Sequence, residues 1–583
     1  MIKTLSLALS LLDSKNKNLF FIIIFLSFLS MCLEVFGVSL IIPFVSVILI
    51  DDIYNIHHIL NSIFGILGNP TKNQVLTYGI LFLLLFFFFK SLFFSFIIFF
   101  QGRFLYNLKS RISCHLFRSY LNQPFIFFSK VNLSLILRNV RSEADLFIEI
   151  VMLANLSLFT ELMLTFGLLF ALFYFEPQGA IIIFCFILTT ILFFQLLTKK
   201  FTKKFSIQRQ HYDGLCLETI HNSINDIINI KIKNLQNNIS SKFKFFADSS
   251  ARAQRYQWSM QELPRLWLEF ICLASLILLV LVLFLKDKLP NEIIATLSLF
   301  GVAAFKILPS LNRIFVALQK IRFGKPVIEI VSLSRELDKT AKYFPLNNLK
   351  NNTITFNYTE PFLKIEDLSF GYDKLNLIDS LNFNLTNKKI IGIYGNSGSG
   401  KSTLVNNILG LLKPSEGKIS HFGIELEECL YEFHKKVSYV PQNVVLINGT
   451  ILENIVGDYS ENKIDEKNLK TACEIAELNN FVDINSSGLQ AHVNNNSLNI
   501  SGGQKQRIGI ARAIYNLPEL LVLDESLNSI DNETIKKIFN HFSRVAIRYI
   551  LIISHDLNVL KNCDVLYKFE NRKLNLINKK NES

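Results

Sequence analysis

The clearest chemistry in the chain lies in Gly395-Asn396-Ser397-Gly398-Ser399-Gly400-Lys401-Ser402. These residues match G-x-x-x-x-G-K-[S/T] at every fixed position, the pattern of a loop that cradles nucleoside-triphosphate phosphates. The glycines let backbone N–H groups approach phosphate oxygens, and a following helix N-terminus adds positive potential. In that frame Lys401 reaches the β- and γ-phosphates, Ser402 ligates Mg²⁺ and Thr403 contacts the α-phosphate. Farther along, Leu520-Leu521-Val522-Leu523-Asp524-Glu525 is an apolar run ending in two acids. A buried strand delivers such carboxylates to the ligand edge of a parallel sheet. Asp524 is then placed to hold the hydration shell of Mg²⁺, and Glu525 to polarise an attacking water. The plain alternative is a surface acid pair after a core strand.

Such a site needs a strand before the loop and a helix after it. Residues 390–394 predict the strand and 402–412 the helix. From Phe362 onward, short β-rich runs (LKIEDLSF, KIIGIYG, KKVSYVPQ, LLVLDES, YILIISHD) alternate with helical ones. The alternation predicts an α/β domain with a largely parallel sheet. The first half differs in composition. Half of the 583 residues are hydrophobic, Phe occurs 54 times, and Gly (24) and Pro (13) are scarce. These values exclude disordered and collagen-like chains and point to a membrane protein. Apolar runs at 19–50, 75–102, 146–175, 179–197, 266–285 and 293–318 each approach or exceed the ~20 residues that span ~30 Å of hydrocarbon. The division is therefore 1–340 as a membrane domain with cytoplasmic helix extensions, 341–361 as a polar linker, and 362–583 as a nucleotide-binding domain.

Lys and Arg crowd segments 103–141 and 199–255, while 51–74 and the turn at Glu176-Pro177 are poor in them. The positive-inside rule then puts both termini and the two basic segments in the cytoplasm. The net charge of +13 is thus largely topological, and nucleic acid is discounted as a partner. Breaks near Asn122–Pro124 and near 213–226 predict short transverse helices at the tips of the extensions. Residues 57–67 predict an interfacial helix on the outer side, and residues 2–12 a short amphipathic piece. The first apolar run is too long for a signal-peptide core and reads as a retained membrane helix. The eight cysteines form no C-x-x-C pair and read as small apolar residues.

Between the phosphate loop and the acid pair lies Ile500-Ser501-Gly502-Gly503-Gln504, which resembles the LSGGQ signature of ABC ATPases. Six spans followed by one nucleotide-binding domain, with the motifs in this order, resemble an ABC exporter half-transporter over the whole chain. The resemblance implies a polytopic α-helical membrane domain of exporter type followed by an α/β P-loop ABC ATPase domain. It implies that Tyr372 in SFGY stacks on adenine. Gln442 in YVPQN becomes the Q-loop residue beside Mg²⁺, Asp531 in NSID the D-loop aspartate, and His555 in IISHD the switch histidine. ATP and Mg²⁺ are the implied cofactors. A homodimer is implied too, in which Ser501, Gly502, Gly503 and Gln504 of one subunit close over the γ-phosphate bound by the other. Three departures stand out: Ile500 for Leu, N-S-I-D for S-A-L-D, and Val493-Asn494-Asn495-Asn496-Ser497, which lacks the acid of V-G-E-x-G.

Four cations lie in or near the apolar runs: Lys90, Arg265, Lys306 and Arg313. A charge at mid-membrane costs ~2.5–3.5 kcal/mol on insertion scales and faces a bundle interior or wet cavity. Lys306 and Arg313 share one helix face. A basic cavity suits an anionic cargo, whereas the structural alternative pairs these residues with Glu34, Glu161 or Glu269. The stretches 34–43 (EVFGVSLIIP), Leu263-Pro264-Arg265-x-x-x-Glu269 and 303–313 (AAFKILPSLNR) resemble the membrane domain of bacterial lipid-linked oligosaccharide flippases. That resemblance implies the inner membrane, an anionic lipid-linked glycan as cargo, and these cations as partners of its pyrophosphate. Exporters of lipid A, drugs or peptides share the same fold. A non-transporting ABC ATPase on nucleic acid would fit the net charge, and the spans oppose it.

Overall fold

A computed structural model of the chain describes residues 12–49, 71–175, 177–285, 290–341, 355–372, 375–386, 389–457, 464–479, 488–493, 500–544 and 547–577. The expected amphipathic piece at 2–11, the outer helix at 57–67, most of the linker, and 494–497 before the signature lie outside these residues. The chain divides into two compact units: Met1–Gln123 with Lys130–Lys342, and Pro124–Ser129 with Tyr343–Ser583.

The first unit is helical. α1 (Ser14–Leu49), α2 (Lys72–Leu121), α3 (Phe125–Lys130, shared with the second unit), α4 (Leu133–Leu137), α5 (Leu153–Phe175), α6 (Pro177–Asn225), α7 (Ile227–Ile232), α8 (Gln236–Phe284), α9 (Pro290–Phe323) and α10 (Lys325–Ala341) follow in order. Lipid offers the backbone no hydrogen bonds, so helices that pair every peptide group internally are the available spans. Four helical stretches among the described residues are long and apolar enough to cross a membrane: Ser14–Gly37, Asn73–Leu121, Leu133–Tyr174 and Gln236–Leu281. The other two apolar runs fall on α6 and α9. Hydroxyls in the spans bond back to their own helix, as Ser27 to the Ile23 carbonyl (2.8 Å) and Thr165 to that of Glu161 (2.7 Å). With 50 residues, α2 runs about 75 Å, well past the ~30 Å hydrocarbon layer.

The first expected break is present: α2 stops at Leu121, and Pro124 precedes the short α3. The second is present too: α6 continues through 213 to Asn225, breaks at Asp226 and is followed by the short α7. Asp213 is held within the helix, by Arg209 at 3.2 Å on its own strand of the helix and by the Ser250 hydroxyl of α8 at 2.5 Å. Between α4 and α5 the chain is π-helical at Arg138–Glu143 and Phe147–Met152. There the fully buried Glu143 collects Arg209 at 3.3 Å and Arg138 at 3.9 Å. Part of the basic excess is therefore spent on internal ion pairs. The seven described cysteines are free.

The second unit is built on a six-stranded sheet of order β12-β11-β3-β10-β9-β6. Its strands are β3 (Lys389–Tyr394), β6 (Val437–Val440), β9 (Leu520–Asp524), β10 (Tyr549–Ser554), β11 (Val565–Glu570) and β12 (Lys573–Ile577). All neighbours pair in parallel except β12, which is antiparallel to β11. Strand side chains alternate between faces. Leu520 and Val522 of β9 join one core with Ile391 and Ile393, while Leu521 and Leu523 join the other with Ile550 and Ile552. An antiparallel sheet of order β2-β1-β4-β5 carries β1 (Leu363–Tyr372), β2 (Leu375–Leu385), β4 (Glu416–His421) and β5 (Ile424–Glu425). Ile126 of α3 packs against the core that this sheet shares.

Candidate active site

Strand β3 ends at Tyr394, and α11 begins at Lys401. The helix runs Lys401–Ile408, shorter than the expected 402–412, because Gly410 turns left-handed (φ +68°) and Leu411 N–H bonds back to the Asn406 carbonyl. This is a helix C-terminal cap that only glycine takes easily. Gly395–Gly400 thus wraps the N-terminus of α11. Gly400 has φ +108°, a conformation that side-chain-bearing residues rarely adopt. Lys401 donates to the carbonyls of Gly395 (2.7 Å) and Asn396 (2.9 Å). Thr403 is buried, while Asn396, Ser397, Gly398 and Ser402 are exposed at the loop rim.

Asp524 closes β9 and is 4% exposed. The Tyr439 hydroxyl donates to it at 3.3 Å, and Ser402 also bonds to it. Burial raises the Asp524 carboxyl above its ordinary range and lowers the Lys401 ammonium. A divalent cation and phosphates, respectively, would reverse these shifts. Ser399 Oγ is buried and finds no hydrogen-bond partner among the described residues. An orphaned hydroxyl, a glycine-walled loop and a carboxylate beside a serine fit a Mg²⁺–nucleotide, held by Lys401, Ser402 and Asp524.

Glu525 stands where β9 turns away, with φ +49°. A non-glycine residue there carries strain of order 1–3 kcal/mol, and such strain clusters at functional sites. Its N–H is fixed by the Ile553 carbonyl at 2.9 Å. Gln442 Nε2 donates to Glu525 Oε2 at 2.7 Å, and His555 Nδ1 lies 3.7 Å from Oε1. Gln442, Glu525 and His555 therefore converge from three different sheet strands, as parallel β6, β9 and β10 require. Tyr372 ends β1 half-buried, its ring edge-on to Phe370 at 5.2 Å.

The signature residues form a second cluster. Ser501 caps α12 (Gly502–Tyr515): its N–H donates to Gln504 Oε1 at 2.8 Å, and Gln504 N–H donates to its hydroxyl at 3.2 Å. This reciprocal cap leaves the other N–H groups of the first turn facing outward. A Cβ on Gly503 would meet the Ser529 carbonyl at 2.7 Å, so the backbones approach where only glycine fits. Gln506 accepts from Ser529 N–H at 3.2 Å, locking this helix to the D-loop. Asp531 caps α13 (Asn532–Arg544) through Thr534 N–H at 2.9 Å, which holds its carboxyl below the usual range. Sequence reasoning gave no role to Tyr439 or Asn528; both stand in the recognised YVPQN and NSID motifs, but their contacts cross between strands and leave no local pattern.

In the first unit, the expected cations meet the expected glutamates. Glu34 takes Lys90 at 2.5 Å and Lys306 at 2.9 Å. Arg313 meets Glu161 at 3.1 Å, and Arg265 meets Glu269 one turn on at 3.1 Å. Lys90 is 7% exposed, but Arg265 and Arg313 are 57% and 61% exposed. Four cations share three carboxylates, and Glu161 Oε2 is buried with no hydrogen bond among the described residues. A cavity of about 1070 Å³, lined by phenylalanines 28, 36, 159, 166, 170, 173 and 184, opens between α1, α5 and α6.

Residues 20–304 match the family described as ABC transporter transmembrane region, and residues 378–528 match the one described as ABC transporter. Among curated proteins, the chain is 33% identical to a lactococcin-G-processing and transport ATP-binding protein of Lactococcus lactis subsp. lactis, over 43% of this chain and 34% of that one. It is 27% identical to an ATP-dependent lipid A-core flippase of Saccharophagus degradans, over 52% of this chain and 50% of the relative. A flippase of the same description from Pseudomonas syringae pv. tomato is 28% identical over 55% and 53%. The matches span about a third to a half of the length of these relatives. The solved structure of a bacterial Atm1-family ABC exporter with ATP bound shares the fold, with TM-score 0.78 and 16% identity over 96% of this chain and 95% of that one.

Proposed function

The chain is a half-transporter of the ABC exporter family, and we propose that it hydrolyses ATP to flip a polyprenyl-pyrophosphate-linked glycan across the bacterial inner membrane. The glycan would serve protein glycosylation or O-antigen assembly. Bound Mg²⁺ and ATP supply a polarised γ-phosphoryl group to the site. Lys401 neutralises phosphate oxygens, Ser402 and Asp524 hold the cation, and Gln442 orients Glu525 through its 2.7 Å bond. Glu525 accepts the proton of the attacking water, and His555 donates a hydrogen bond to the γ-phosphate. Two chains form each complete site: the exposed Ser501 and Gly502 start a helix whose unpaired first-turn N–H groups suit the phosphate bound by a partner's loop.

The cargo is argued from one observation. Arg265 and Arg313 are more than half exposed on helices of the membrane unit, and a guanidinium is the side chain best shaped for bidentate phosphate contact. The phenylalanine-lined cavity supports an amphiphile over a hydrophilic solute. The relatives named above for lipid A-core and for lactococcin G favour two rival cargoes in the same fold, lipid A and a peptide. ATP hydrolysis in lipid nanodiscs separates them. A polyprenyl-pyrophosphate glycan should stimulate turnover at lower concentration than lipid A or peptide. Preferential stimulation by either rival would refute the cargo.

A further inference from the structure

Asn528 has no task in that scheme, although it lies between the base Glu525 and the D-loop aspartate Asp531. Its N–H donates to the Glu525 carbonyl at 3.3 Å, and its side-chain Nδ2 lies 3.3 Å from His555 Nδ1. A neutral imidazole carries one proton, and which nitrogen holds it is set by the bond the other nitrogen makes. Two partners compete for Nδ1 here. Asn528 Nδ2 can only donate to it, whereas Glu525 Oε1, 3.7 Å away, can only accept from it.

A chain of hydrogen bonds decides between them. Asp556 N–H donates to Ser554 Oγ at 2.9 Å. Ser554 is 1% exposed, and its own proton goes to Asn528 Oδ1 at 3.1 Å. With Oδ1 accepting from Ser554, the amide turns its NH₂ toward the histidine; the flipped amide, with Nδ2 donating to Ser554 Oγ and Oδ1 accepting from Nδ1–H, is the alternative that the measurement below excludes. His555 Nδ1 is then the bare, accepting nitrogen, and the proton resides on Nε2.

We propose that Asn528 is a positioning residue that holds His555 in the Nε2–H tautomer, so that Nε2 presents a donor to the γ-phosphate. The proposal rests on the reading of His555 as a phosphate donor. The opposite tautomer moves one proton from Nε2 to Nδ1 at unchanged net charge, and it has a partner waiting in Glu525 Oε1. That pairing would strip the donor from the phosphate side and occupy the base at once. Asn528 suppresses it by filling Nδ1 from the other direction.

The test uses the full-length protein labelled with ¹⁵N-histidine, with the His555 signal assigned by its loss in His555→Ala. The wild type should show a protonated Nε2 and a bare Nδ1. Asn528→Leu keeps the side-chain volume and removes the amide. It should populate the Nδ1–H form and lower kcat for ATP at least about tenfold, as tautomer errors do elsewhere, while KM stays within about twofold. Ser554→Ala leaves Asn528 in place but frees its amide to turn, and should give mixed tautomers with a smaller fall. An Nδ1–H signal in the wild type would overturn the proposal. So would an Asn528→Leu protein that keeps Nε2–H, even with a lower rate, since the residue would then act by packing alone. A wild type that hydrolyses no ATP would instead refute the proposed function, because the tautomer is read from the spectrum without turnover.

Discussion

Replacing Glu34 by Gln probes the charge cluster of the membrane unit most sharply. One carboxylate, 5% exposed, serves Lys90 at 2.5 Å and Lys306 at 2.9 Å. The two ammonium groups differ: Lys90 is 7% exposed and Lys306 42%. Without the carboxylate charge, Lys306 can turn to a wetter surrounding, but Lys90 is stranded. Leaving a buried charge unpaired costs about 3–5 kcal/mol. The rings of Phe87 and Phe94, 5.0 and 5.6 Å from Lys90 Nζ, return about 1 kcal/mol as cation–π attraction. The expected loss for Glu34→Gln is therefore about 2–4 kcal/mol. Lys90→Met keeps the Lys306 pair and should cost about 1–2 kcal/mol. The double variant removes both buried charges and should recover most of the loss. Thermal unfolding of the purified protein in one detergent, read by intrinsic fluorescence, should rank wild type, double variant and Glu34→Gln in falling order. A Glu34→Gln protein that melts with the wild type, or a double variant less stable than Glu34→Gln, would refute the reasoning.

Glu525→Gln should bind ATP normally and lower kcat by about 10²–10⁴-fold, since the base is lost and the phosphate loop is kept; Lys401→Ala should weaken nucleotide binding itself, and equilibrium binding beside turnover checks both. Arg313→Ala and Arg265→Ala should lower glycolipid transport while leaving basal ATP hydrolysis within about twofold, because a lost cargo contact leaves the nucleotide site intact; paired transport and hydrolysis assays decide, with unchanged transport counting against the proposed contact of these arginines with an anionic headgroup. His421 is fully buried, donates from Nδ1 to the Phe362 carbonyl at 2.6 Å, and has its pKa pushed down to about 4 by burial. The unfolded chain therefore binds its proton first. The stability it confers is complete above about pH 6.5, falls between there and about pH 4, and is about 2 kcal/mol lower at pH 5. Melting of the nucleotide-binding domain in the full protein should show that loss in the wild type, and His421→Gln should be flat over the same range.

The fold was legible where periodicity and length act locally. Runs of some 20 apolar residues can only be spans, and the alternation from Phe362 onward forecast the parallel sheet. The P-loop was legible because its glycines, lysine and serine answer to a single backbone shape. What escaped depends on packing between distant elements. The seven-residue spacing of Lys306 and Arg313 puts both on one face of α9, but only the arrangement of α1 and α5 sends one to Glu34 and the other to Glu161. The Arg265–Glu269 pair, one helical turn apart, was readable from spacing alone. The break expected near 213–226 is present, and it falls at the far end, Asp226, where Ser250 of a neighbouring helix secures Asp213 within the helix. The bond from Asn528 to His555 joins residues 27 positions apart, and no local rule connects them.

ATP-driven flipping can be observed after reconstituting the protein into liposomes that carry a polyprenyl-pyrophosphate glycan. Access of a glycan-cleaving enzyme or lectin from outside then reports the leaflet. The wild type should change glycan accessibility only with ATP and Mg²⁺, and Glu525→Gln should leave it unchanged under the same conditions. A wild type that hydrolyses ATP in these liposomes while the glycolipid stays in its original leaflet would contradict glycolipid flipping as its function.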